Sequence, residues 1–85
     1  MKLRPHDLLV VCLWDITDVA SWTPSSTAET YQAAKCAFCG WFVSEDKNVV
    51  RIAHSIAEDG DKSVAVIPKG CIADIQKVAY KDFKF

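Results

Sequence analysis

The sequence predicts a mainly β domain of five short strands with one short helix, and three observations predict it. Leu8 to Ile16, "LLVVCLWDI", is a continuous apolar and β-branched run whose length suits a strand covered on both faces. Two polar turn signals, Glu45-Asp46-Lys47-Asn48 and Glu58-Asp59-Gly60-Asp61, punctuate the later apolar runs, the second with Asp-Gly as its strongest signal. Finally, "SVAVIPKGCIADIQKV" stops at Pro68-Lys69-Gly70 and resumes at once as another apolar stretch.

The elements follow in order. The first strand ends near Asp15, and a loop from Thr17 to Pro24 carries Trp22. Ser26-Thr27-Ala28-Glu29 has the spacing of a capping box, so a short helix is expected from Ser26 to about Lys35, with Ala28, Tyr31 and Ala34 inward. Lys35 to Ser44 reads as the second strand, with Gly40 marking a bulge or sharp bend. Val49 to Ile56 reads as the third, with Val50, Ile52, His54 and Ile56 on one side and Val49, Arg51, Ala53 and Ser55 on the other. Ser63 to Ile67 is the fourth and Ile72 to about Tyr80 the fifth, with "KDFKF" as an end that frays.

Proline cannot donate to a sheet ladder, so the fourth strand must end before Pro68. A single 3₁₀ turn fits the short gap before the fifth. Five short strands with a 3₁₀ turn before the last predict a small five-stranded SH3-like or Sm-like barrel, with the helix between strands one and two. The competing reading is a helix from Cys71 to Tyr80, because Ile72, Ile75 and Val78 recur every three residues.

The 85 residues suffice for a single domain spanning 1–85. A chain this short buries only about 60 to 65% of its unfolded surface. Its apolar excess, 51% of residues, therefore predicts a homo-oligomer, most simply a dimer, with the first strand as the main source of uncovered surface. A net charge of −1 argues against a duplex-DNA binder, which normally carries a basic stripe. The apolar run from Leu8 to Trp14 is too short to span a membrane, and no secretory leader is legible. The expected location is the cytoplasm, with no membrane partner.

Four cysteines, Cys12, Cys36, Cys39 and Cys71, raise the question of zinc. Cys36 and Cys39 have knuckle spacing, but on a strand positions three apart point to opposite faces. The expectation is buried thiols, no metal and no cofactor, with zinc and redox chemistry as the alternatives. No enzyme motif is present, so no catalytic residue is expected. The acidic turns read as solvated charges, and His54 as a core or interface histidine rather than a general base. Trp14 and Trp41 are expected to fill the core. Trp22, in a loop, is the better candidate for ligand contact, against the alternative that it packs over the barrel mouth.

Trp14 and Asp15 ending strand one, Trp22, Gly40-Trp41 in strand two, the acidic pair Glu45-Asp46, and Ile67-Pro68-Lys69-Gly70 before the last strand form an ordered pattern. It resembles that of a group of small, mostly uncharacterised proteins encoded by bacteriophages and prophages. The resemblance implies a phage origin and a barrel, and therefore the cytoplasm of a host cell. By analogy with small phage proteins that counter host defences, it implies sequestration of a nucleotide-type immune signal. In that reading Trp22 stacks on a base while Arg51 and Lys69 meet phosphate. A protein-interaction domain that inhibits or docks to a host protein is the alternative. An Sm-like oligonucleotide-binding ring is the third reading, weakened by the acidic balance.

Overall fold

The computed structural model describes residues 2–85. It contains β1 (Leu8–Asp15), α1 (Ser25–Ala28), β2 (Ala34–Glu45), β3 (Val49–Ile56), β4 (Lys62–Pro68), a 3₁₀ turn (Lys69–Cys71) and β5 (Ile72–Val78). The strands form one antiparallel five-stranded sheet in the order β4-β3-β2-β1-β5. The sheet is not closed: β4 and β5 stand at its two edges, although only the 3₁₀ turn separates them in sequence. The mainly β class and the 3₁₀ turn agree with the sequence reading, whereas a closed barrel is not seen.

One face of the sheet holds the core. Leu9, Val11 and Leu13 of β1 alternate inward and meet Phe42 of β2, Val50 and Ile52 of β3, and Ile67 of β4. Cys36, Phe38, Ile72 and Ile75 pack against this cluster. Gly40 lies opposite Leu9 and is buried. A Cβ there would stand 2.5 Å from the Ala53 carbonyl oxygen and 2.5 Å from Ile52 Cγ2. Glycine thus permits a close approach of β3 to β2, while the register shift between these strands falls at Phe42 and Ser44 instead.

β5 is a strand, and its three-residue apolar spacing has a physical cause. Ile75 pairs with Val11, but the register shifts between Cys12 and Leu13, so that Ile72 rather than Ala73 faces Leu13. Two isoleucines three apart therefore reach one face without a helix.

Several expectations are corrected. The helix is a single four-residue turn that buries nothing, and Pro24 occupies its N-cap position with no side-chain cap. The Ser26/Glu29 box does not form, Ala28 and Tyr31 are exposed, and Ala34 and Lys35 belong to β2. One turn cannot propagate against its nucleation cost without an apolar face to bury. Ala53 keeps the side expected for it, opposite Trp41 and Val64 on the outer face, yet is buried there, whereas His54, at the register shift between Ala53 and Ser55, is exposed. Trp14 is not core: it points to the other face and is 43% exposed. Trp41 is half-buried on that same outer face, covered edge-on by Phe83 at 5.5 Å. The tail is therefore packed in part, and the Tyr80 hydroxyl donates to the His6 carbonyl oxygen.

Candidate functional site

The β2–β3 turn brings two of the three predicted site residues together. Asp46 Oδ1 accepts the backbone N–H of Asn48 at 2.8 Å and of Val49 at 3.0 Å, which shapes the turn. Its other oxygen accepts Arg51 Nη2 at 2.8 Å, and Arg51 Nη1 donates to Ser44 Oγ at 3.3 Å. The Asn48 N–H, then the Arg51 guanidinium and the Val49 N–H, hold the Asp46 carboxyl below its ordinary range. Lys69 reaches the same turn from the far side: its N–H donates to the Asn48 carbonyl at 2.8 Å and its Nζ pairs with Glu45 at 2.7 Å. The two acids that looked like freely solvated charges are thus the partners of the two cations. For Asp46 and Arg51 a signal lay in the hairpin, which folds β3 back along β2; Lys69 arrives from beyond β4 and had no such local signal.

Among the described residues, Trp22 stands apart from this cluster, with its side chain open to solvent. It stands fully exposed in the connection between β1 and β2, where Thr23 Oγ1 donates to the Ser21 carbonyl at 3.2 Å. It does not pack over the core.

A second region was missed by the sequence reading. Cys12 and Trp14 of β1 pair with Ala37 and Lys35 of β2, so their side chains share the outer face. With Leu13 and Ala73 they line an open, mostly apolar hollow of about 440 Å³. Lys35 Nζ lies 5.0 Å from the Trp14 ring centre, a cation–π distance. Period-two alternation alone puts Trp14 on the face opposite Leu9, Val11 and Leu13, and this was the available clue.

A larger hollow of about 500 Å³ lies between the two ends of the chain, lined in part by Arg4, Asp7, Lys77, Tyr80 and Asp82. Lys77 and Asp7 pair there at 3.3 Å. The Asp7 carboxyl is lowered first by the Arg4 N–H, then by Lys77, with burial opposing. No group of three or more metal-ligating side chains converges among the described residues. Cys36 packs against the core while Cys39 is exposed opposite Val10, so the pair faces two ways. His54 lies 5.4 Å from the Phe38 ring and is exposed. No helix among the described residues is long and apolar enough to cross a membrane.

Comparison with protein-family models, with curated proteins and with solved structures finds no match.

Proposed function

We propose that this chain is a non-enzymatic binding domain with an SH3-like or Sm-like strand arrangement, which docks to a protein of the host cell through the apolar hollow around Trp14. The single observation behind this reading is a half-exposed tryptophan at an apolar hollow, the side chain most often found as an interface anchor. The strand order β4-β3-β2-β1-β5 and the 3₁₀ turn before the last strand support the small-barrel relationship. Trp14-Asp15, Gly40-Trp41 and Ile67-Pro68-Lys69-Gly70 support a phage or prophage origin, and with it action in the host cytoplasm.

A second reading, sequestration of a nucleotide-type signal, is favoured by the arrival of Arg51 and Lys69 at one turn. Against it, each cation already has a carboxylate partner, so a phosphate would have to displace Asp46 or Glu45. Melting temperature measured against mono-, di- and cyclic nucleotides separates the two. The expected outcome is no stabilisation, together with capture of a host protein that Trp22→Ala retains and Trp14→Ala loses. A marked rise in melting temperature with one nucleotide, abolished by Arg51→Ala or Lys69→Ala, would replace the first reading with the second.

A further inference from the structure

The free edge of β4 has a definite hydrogen-bonding phase. Lys69 N–H donates to Asn48 at one end of the β3–β4 ladder, and Ala57 N–H donates to Asp61 at the other. In an antiparallel ladder, hydrogen-bonded and non-hydrogen-bonded pairs alternate. Counting inward from either end, with Ile52 opposite Ala65 and Ser55 opposite Ser63, gives the same result. The backbone groups of Ser63, Ala65 and Ile67 face β3. Those of Lys62, Val64 and Val66, and the Pro68 carbonyl, face outward with no strand beside them.

This edge is protected only at its two ends, by Lys62 and Pro68. Ser63 to Pro68 carries no charge, and the outer-face side chains Val64 and Val66 are 43% and 57% exposed. The opposite edge differs: β5 carries Asp74 and Lys77 and is distorted by its register shift.

We infer that β4 pairs with β4 of a second copy of this chain, antiparallel about a two-fold axis between the two Ala65 residues. Val64-Ala65-Val66 is palindromic, so this register places each outward valine opposite the other kind in the partner. It is in phase: Val64 and Val66 exchange four N–H···O=C bonds across the axis. The two Lys62 N–H groups donate to the two Pro68 carbonyls, where the missing proline N–H leaves no donor stranded. The four valines then form one cross-strand cluster on the outer face. Pairing β4 with β5 instead would set these valines beside Asp74 and Gln76, which β5 keeps exposed and hydrogen-bonded to each other. The inference is independent of which partner the Trp14 hollow takes.

Sedimentation velocity on the full chain, with oxidative cross-linking, tests it. The parent chain should be dimeric at micromolar concentration. Val66→Pro removes only outward N–H groups, so it should keep its circular-dichroism spectrum and weaken the dimer by about tenfold or more. Val66→Lys should weaken it as well, and serves if the proline variant unfolds. Paired Ala65 residues are non-hydrogen-bonded neighbours with Cα atoms about 4.5 Å apart. Ala65→Cys should therefore form an intermolecular disulfide, mapped to that position, more readily than Val64→Cys or Val66→Cys. A monomeric parent, a dimer indifferent to both position-66 variants, or preferential cross-linking at 64 or 66 would overturn the inference.

Discussion

Asp46 gathers three donors, two from the backbone of its own turn and one from Arg51. All three favour the ionised carboxylate, so its folded-state value lies below that of the unfolded chain. The sign follows by linkage. The stabilisation is present above the unfolded value and is lost as pH falls through the depressed folded one. Asp7 is shifted the same way by the Arg4 N–H and Lys77. Denaturant midpoints measured from about pH 6 down to about pH 2 should therefore fall for the parent. Asp46→Asn should have a lower midpoint near neutrality and a shallower acid slope, with the remaining slope due in part to Asp7. An unchanged slope would show that the turn contacts do not persist in solution.

At the scale of elements, burial follows the alternation of β1 and not the size of its side chains. Leu9 is fully buried, whereas the larger Trp14 on the other face is 43% exposed. Leu9→Ala should cost about 2–5 kcal/mol through lost transfer energy and a cavity. That is enough to lower the melting temperature by roughly 4–8 °C per kcal/mol in a domain of this size. Trp14→Ala removes an exposed ring and its contact with Lys35, and should cost roughly 1 kcal/mol. Thermal melts of the two variants check the order, and a larger loss for Trp14→Ala would mean that the outer face is covered in solution. β2 and β5 show the limit of pattern reading at this scale. In each, a register shift lets residues leave strict alternation; in β5 it shows as the three-residue spacing of Ile72 and Ile75, which a helix would give as well, whereas the shift in β2 has no such sign.

The whole molecule is extended for its length. Its Cα radius of gyration is 16.4 Å, against about 12 Å for a compact chain of this size. The connection from Ile16 to Ala33 is exposed along nearly its whole course, and only one hydrogen bond, Thr17 Oγ1 to the Gln32 carbonyl at 2.8 Å, ties its two ends among the described residues. A segment so weakly held opens locally at little free-energy cost. Limited proteolysis should cut first between residues 16 and 33, leaving two fragments that stay associated through the eight paired positions of β1 and β2. First cleavage within β3 or β4 would contradict this picture.

The amino-acid sequence by itself determined the strand content, the turn at Glu45–Asn48 and the 3₁₀ break, although β4 runs on through Pro68 instead of ending at Ile67, because at that outward-facing edge position no N–H is needed. These depend on local chemistry: apolar β-branched runs, turn-forming residues, and a proline that cannot donate. It also made Arg51 and Lys69 legible as cations worth following. Tertiary structure alone decided what they do, because the carboxylates that pair with them are placed by the β2–β3 hairpin and by the chain's return after β4. It likewise decided that the face carrying Trp14 stays open, since alternation separates the two faces of a strand but does not say which will be covered. The short helix failed for the same reason. A capping box needs an apolar face with something to lean on, and the sheet offers α1 no buried contact. Whether a strand becomes an edge is also a property of the assembled sheet. The sequence of β4 does not say which side of the strand stays unpaired, and only the order β4-β3-β2-β1-β5 leaves its outward amides without a partner strand.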